Sequence, residues 1–278
     1  MQKVCYYHIT MKRFLAFTLV LIAALGALWL DSNFRIVTES FSIASRNLPP
    51  EANGLRVVHL TDLHGEWSDS LLRQVREAEP DIIAITGDIV DGDKENFDAE
   101  RDYISMAVGE LSRVAPVYYV SGNHEWASSD PRGLFRAVSE AGGTVLRNDY
   151  VVFRGIVIAG CDDPNGPADQ PTCAETVEKI RAKEGGRFIL MLYHRHDRLA
   201  MWSDLGVDCV LCGHAHGGMV RLPFTDGLYA PGHHWFPKYT SGVYREKATE
   251  TVVSRGIGGP KYRLFNNPEI ISLTLSIE

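Results

Sequence analysis

After residue 50 the chain follows a repeated pattern: a short apolar run, then a polar cluster. LRVVHL leads into Thr61-Asp62-Leu63-His64, DIIAIT into Gly87-Asp88-Ile89-Val90-Asp91, and PVYYV into Ser121-Gly122-Asn123-His124-Glu125. FILMLY leads into His194-Arg195-His196-Asp197, and CVLC into Gly213-His214-Ala215-His216-Gly217-Gly218. Continuous apolar runs rich in Val, Ile and Tyr are what strands buried on both faces look like. Helix-like stretches lie at 68–79, 98–113, 131–141, 174–184 and 196–204. Strands alternating with helices predict an α/β sheet, with ligands expected at the carboxyl ends of the strands, where all five clusters fall. Before this pattern begins, FRIVTESFSIAS reads as an edge strand closed by Leu48-Pro49-Pro50. With no internal repeat and no low-complexity linker, 31–278 reads as one domain.

A different pattern governs the N-terminus. Phe14 to Leu30 is seventeen residues without a charge, preceded by Lys12-Arg13 and followed by Asp31. As a helix it is about 25 Å long, slightly short of a bilayer's roughly 30 Å hydrocarbon core. It has no polar face, so it is read as a membrane segment, with 1–13 as a cytoplasmic tail. Positive charge before it predicts a domain on the extracytoplasmic side of a bacterial plasma membrane. An uncleaved single-pass anchor is favoured by Trp29 near its end, and a cleaved signal peptide by the small residues around Ala24-Leu25-Gly26. Met11, just before the two bases, is an alternative start to Met1.

Charge sharpens that division. The net charge is -7, but residues 1–30 carry three bases and no acid. The remainder therefore holds 25 bases against 35 acids, a balance that argues against nucleic acid as a partner. The cysteines add little: Cys161 and Cys173 could pair across a Pro/Gly-rich loop in an oxidising compartment. Cys209 and Cys212 fall on opposite faces of a strand, which disfavours a zinc knuckle and suits buried packing.

The strand-end clusters carry the chemistry. Asp62, His64, Asp88, Asn123, His194, His214 and His216 form a mixed nitrogen and oxygen ligand set suited to manganese, iron or zinc rather than calcium. Asp-x-His and His-x-His would place two ligands on one side of an extended segment. Seven candidates exceed the needs of one tetrahedral ion and fit two ions sharing a carboxylate. Gly-Asp alone is a turn and Asp-x-His alone is weak; Gly-His-Ala-His-Gly-Gly is the specific element, because histidines among glycines have little packing value. His59, inside an apolar run, reads as a core or supporting residue. His194 is preferred over His196 as the ligand because it directly follows the strand.

In this order the motifs resemble the calcineurin-like metallophosphoesterase superfamily, and within it a bacterial membrane-associated phosphodiesterase branch. They stand as Asp62-x-His64, Gly87-Asp88-x-x-Asp91, Gly122-Asn123-His124-Glu125, His194 and Gly213-His214-x-His216, with the tail Ser254-Arg255-Gly256-Ile257-Gly258 and Asn267-Pro268-Glu269-Ile270. Met219 departs from the branch, which usually has Gln there. The resemblance implies a four-layer α-β-β-α sandwich of two mixed sheets. It implies one metal on Asp62, His64 and His216, a second on Asn123, His194 and His214, and Asp88 bridging them. It further implies in-line attack by a hydroxide shared between the ions, His124 assisting the leaving group, and Asp91 orienting His124.

The expected function is thus a two-metal phosphodiesterase acting on an envelope or lipid-linked phosphoester. A UDP-diacylglucosamine-type pyrophosphohydrolase would need its site in the cytoplasm, against the charge asymmetry. A phosphomonoesterase or protein phosphatase on the same centre is the other alternative; the superfamily's protein phosphatases carry additional arginines for the phosphate, for which Arg195 and Arg154 are the nearest in sequence. The aromatic loop from Tyr229 to Tyr239, with His233 and His234, is expected to rim the pocket, and packing, an apolar substrate tail and membrane contact stay open for it.

Overall fold

In a computed structural model, which describes residues 2–222, 226–230 and 235–278, the apolar runs form the middles of two six-stranded sheets. The first contains β1 (Val37–Ala44), β2 (Leu55–Leu60), β3 (Ile82–Thr86), β4 (Val117–Val120), β5 (Gly143–Val145) and β12 (Glu269–Ser276), ordered β1-β12-β2-β3-β4-β5. The second contains β6 (Asp149–Phe153), β7 (Ile156–Gly160), β8 (Ile189–Arg195), β9 (Cys209–Gly213), β10 (Gly242–Glu246) and β11 (Thr249–Val253), ordered β10-β11-β9-β8-β7-β6. Pairing is parallel except at β12–β2, β10–β11 and β6–β7, so both sheets are mixed.

Alternation along the strands divides the core into layers. Val57, Ile82, Ala84 and Val120 of the first sheet meet Ile158, Leu190, Leu192 and Leu211 of the second in a shared inner layer. Val58, Leu60, Ile83 and Ile85 face outward beneath α2 (Asp69–Glu77), α3 (Phe97–Ser112) and a helix over Pro131–Glu140. Val157, Ile189, Met191 and Val210 do the same beneath α6 (Cys173–Glu184) and α7 (Leu199–Asp204). This is the expected α-β-β-α sandwich.

The N-terminal segment differs from its expected bounds. One continuous helix, α1, covers Gln2–Phe34, and Met11–Phe34 within it is long and apolar enough to cross a membrane. Residues 2–13, expected as a separate tail, continue this helix, because neither Pro nor Gly occurs between Gln2 and Leu25 to stop it. Its last turn is fastened to the domain: Trp29 Nε1 donates to the Lys261 carbonyl (3.0 Å) and Ser32 Oγ accepts from Phe265 N (3.0 Å). Asn33 completes a reciprocal pair with Arg263, donating to its carbonyl (2.9 Å) and accepting from its N–H (3.0 Å).

Cys161 and Cys173 meet as hydrogen-bonded free thiols. Cys209 and Cys212 are buried on opposite faces of β9. Of the aromatic loop, His233 and His234 lie outside the described residues.

Candidate metal centre

All seven ligand candidates come together at the carboxyl ends of β2, β3, β4, β8 and β9, where the two sheets face each other. The local backbone that places them is not extended, as the Asp-x-His and His-x-His spacing suggested. Asp62, His64, Asp88, His214 and His216 all have φ between 47° and 67°. Left-handed backbone is uncommon for residues with a Cβ, and its concentration here marks a site held by its surroundings against local preference. Each ligand turns off its strand sharply, so convergence, not alternation, brings the pairs to one point.

Two motif glycines permit the approach of the loops. A Cβ on Gly87 would lie 2.3 Å from the backbone nitrogen of Gly122, and one on Gly122 would lie 2.2 Å from Asp88 Oδ1. Glu125, in the short helix α4 (Asn123–Ala127), ties the same loops together. Its buried carboxylate accepts from the backbone N–H groups of Gly122 (2.6 Å), Ile89 (2.7 Å) and Asp88 (3.0 Å). Burial and the nearby Asp88 push Glu125 up to about 7.

The ligand atoms fall into two groups. Around Nε2 of His194 lie His214 Nδ1 at 3.0 Å, Asn123 Oδ1 at 3.1 Å and Asp88 Oδ2 at 3.2 Å. Two atoms about 2.1 Å from a common ion and at right angles are about 3.0 Å apart, so this spacing matches an ion's coordination shell. His194 Nδ1 lies 2.8 Å from the Thr86 carbonyl, and donating to it leaves Nε2 as the free lone pair. In the second group, Asp62 Oδ1 lies 3.6 Å from His216 Nε2 and 4.0 Å from His64 Nε2. Asp88 Oδ2 also lies 3.9 Å from His64 Nε2, and so faces both groups, while its Oδ1 accepts from His124 N (2.9 Å).

Polar satisfaction tests whether these residues fit metal. Asp62 Oδ2 is engaged by His214 N (2.9 Å), yet Asp62 Oδ1 and His64 Nε2 are buried without a hydrogen-bond partner. Orphaned buried polar atoms are costly, and two of opposite type aimed into one space are what a bound cation would satisfy. Burial alone would lower the His194 imidazole, but the facing Asp88 carboxylate outweighs it and lifts it to about 10. Burial, and after it His194, hold His214 down to about 2.

The partner of Asp91 and the position of His194 differ from the sequence expectation. The Asp91 carboxylate meets Nδ1 of His64 (2.7 Å), not His124. His124 Nδ1 instead meets the Asp91 backbone carbonyl (2.6 Å), leaving Nε2 of this partly exposed ring toward the pocket. His194 is the penultimate residue of β8, within the register irregularity between Leu192 and Arg195, and does not follow the strand. His196 is buried with its ring 6.1 Å from that of His214, beside the cluster. His59 supports the site from the inner layer: its Nε2 meets Thr86 Oγ1 (2.7 Å), and burial lowers it to about 3.

Neither arginine considered for phosphate is free. Arg195 is held bidentately by Asp163 (2.8 and 2.9 Å), and Arg154 pairs with Asp81. The arginine beside the ligands is Arg263, which the sequence did not single out. It is buried, donates to the Arg255 and Gly258 carbonyls, and lies 3.3 Å from His216 Nδ1. Asn266 holds the same turn by donating to the His216 and Met219 carbonyls. The pocket over the cluster, about 390 Å³, is lined by His64, Glu66, Asp91, His124, His216 and the Gly259-Pro260 pair.

Comparison with known proteins places the chain in a family. The calcineurin-like phosphoesterase family matches residues 55–218, which span the candidate ligands from Asp62 to His216. A metallophosphoesterase of Aquifex aeolicus is 29% identical, over 90% of this chain and 96% of its own. Phosphodiesterase YaeI of Escherichia coli is 27% identical, over 87% of this chain and 88% of its own. A dimetal phosphatase from Danio rerio shares the fold with a TM-score of 0.52 at 14% identity, covering 80% of this chain and 99% of that one.

Proposed function

This chain belongs to the calcineurin-like phosphoesterase family and is a metal-dependent phosphoester hydrolase, and on that footing we propose that it is a two-metal phosphodiesterase anchored to a membrane by α1. The observation that carries the reading is the position of Asp88 Oδ2, 3.2 Å from His194 Nε2 and 3.9 Å from His64 Nε2, between two ligand groups. Asp62, His64 and His216 would hold one ion, Asn123, His194 and His214 the other, and Asp88 both. Bound there, two divalent ions of the manganese, zinc or iron type would supply an acidified water and polarise the phosphoryl oxygens.

The chain's own groups perform the rest. His124 faces the pocket through Nε2, with Nδ1 committed to the Asp91 carbonyl. A proton carried on Nε2 would pass to the departing alkoxide, a contribution of roughly 10²–10⁴ in rate. Asp91 fixes His64 in the tautomer whose Nε2 is free for metal, as carboxylates behind ligating histidines do. Neither Lys nor Arg lines the pocket over the cluster among the described residues, which suits the single charge of a diester better than the second charge of a monoester.

Anchoring rests on the length and apolar character of Met11–Phe34, about 36 Å at 1.5 Å per residue. The bases before it and the acidic body after it favour an extracytoplasmic domain facing an envelope phosphoester. The test is turnover of bis-p-nitrophenyl phosphate against p-nitrophenyl phosphate with Mn, Zn, Fe and Mg compared. The diester is expected to be preferred; a preference for the monoester would reverse the assignment.

A further inference from the structure

Beside the metal pocket lies a second cavity, of about 150 Å³, at the root of α1. Six of its lining residues are apolar, Phe34, Ile36, Trp67, Leu71, Ile257 and Pro268, and the polar ones are Asn33, Glu66, Ser68 and Lys261. Glu66 lines both this slot and the metal pocket, and its carboxylate pairs with Lys261 Nζ at 2.7 Å. The two cavities are therefore neighbours with one shared wall. The Lys261 ammonium also lies 5.4 Å from the Phe34 ring centroid, placing a charged rim on the apolar slot.

We propose that this slot is an alkyl-chain subsite, so that the enzyme acts on amphiphilic phosphodiesters whose apolar tail enters the slot while the phosphate meets the metal cluster. The proposal rests on the phosphodiesterase reading above and extends it to a substrate class. Two observations select a hydrocarbon chain as the occupant. The apolar side of the lining gains from burying methylenes, and the Lys261 ammonium at its rim is already paired with Glu66. The slot also lies against the last turn of α1, where Trp29, Leu30 and Phe34 are exposed on the same apolar helix. A chain in the bilayer beside α1 would reach the slot at the point where the helix meets the domain, without first crossing water.

Trp29 and Asn33 give this placement rigidity. Through them the helix end is hydrogen-bonded to Lys261 and Arg263, the segment that forms the slot's rim and packs on His216. The distance from slot to metal cluster is thus set by folded structure, and a tail seated in the slot would position its phosphoester. Binding energy from a remote, unreactive part of a substrate would be used here for orientation.

The test uses the full chain in nanodiscs and p-nitrophenyl phosphodiesters bearing a methyl, butyl or hexyl group, with bis-p-nitrophenyl phosphate as reference. Burying each methylene can raise kcat/KM by up to about fourfold, so a rise of at least roughly tenfold from methyl to hexyl is expected. Ile36→Trp, which fills the slot from outside the catalytic groups, is expected to flatten the series while leaving the methyl and bis-p-nitrophenyl esters within about twofold; Ile36→Phe should fall between. A flat series in the unaltered protein that still cleaves bis-p-nitrophenyl phosphate overturns the subsite alone. So does an equal loss on every ester in both variants. Failure to cleave any diester removes the phosphodiesterase reading on which the subsite rests.

Discussion

Glu125 offers the most quantitative test of how the site is held. Its carboxylate is fully buried and takes three backbone N–H donors, from Gly122, Ile89 and Asp88, at 2.6, 2.7 and 3.0 Å. Oε2 serves two of them and Oε1 the third. Glu125→Gln keeps the shape but replaces one oxygen with an amide that can only donate. Turned its better way, the amide faces Ile89 N and loses one hydrogen bond; turned the other way it loses two. A bond to a charged acceptor contributes about 1.5–3 kcal/mol, and the stranded donor adds about 1–3 kcal/mol. Against this, the substitution removes a carboxylate that burial and Asp88 disfavour, so about 2–4 kcal/mol is the expected net loss. For a domain of this size that is a fall in Tm of roughly 5–15 °C. The assay is thermal unfolding of the full chain in detergent at pH 8, above the value of about 7 to which Glu125 is pushed, so that the unaltered protein carries the ionised form. A Tm within about 1 °C of the unaltered protein, with metal retention unchanged, would refute the assignment of Glu125 as the tie between the loops.

Other variants separate the roles of neighbouring groups. His124→Ala should retain its metal and lose about 10²–10⁴ in kcat on dialkyl phosphates. It should lose much less on bis-p-nitrophenyl phosphate, whose leaving group departs without a proton, and an equal loss on both would remove proton delivery from His124's role. Asp91→Asn leaves the carbonyl that holds His124 and alters the carboxylate on His64, so metal affinity should weaken by about 10–100-fold with the leaving-group dependence intact. Equilibrium dialysis with Mn or Zn measures it, and unchanged affinity would count against the Asp91–His64 pairing as a functional contact. Gly122→Ala, with its Cβ built 2.2 Å from Asp88 Oδ1, should lose metal and stability together, read by metal content and Tm.

The parts legible in the sequence are those set by local pattern. β2, β3, β4, β8 and β9 are central strands, buried on both faces, and their apolar runs mark them plainly. The ligand candidates were legible because, His194 inside β8 excepted, short loops deliver them just after such strands. β7 carries the same signal in IVIAG and could have been found by it, whereas β5 is only three residues long and β6 and β10 alternate with exposed positions. Partner choices around the ligands were not legible. Which histidine meets the Asp91 carboxylate depends on the left-handed turn at His64, and the motif spacing does not encode it. Arg263 lies 47 residues from His216 in sequence and is held beside it by the Arg255 and Gly258 carbonyls and by Asn33 of α1.

Metal titration of the chelated full chain with Mn or Zn, following ions bound and bis-p-nitrophenyl phosphate turnover together, bears most directly on the two-metal claim. The geometry of Asp88 between two ligand groups predicts about two ions per chain at saturation, with turnover rising as the second binds. Full turnover at one ion per chain, or two bound ions without hydrolysis of the diester, would contradict it.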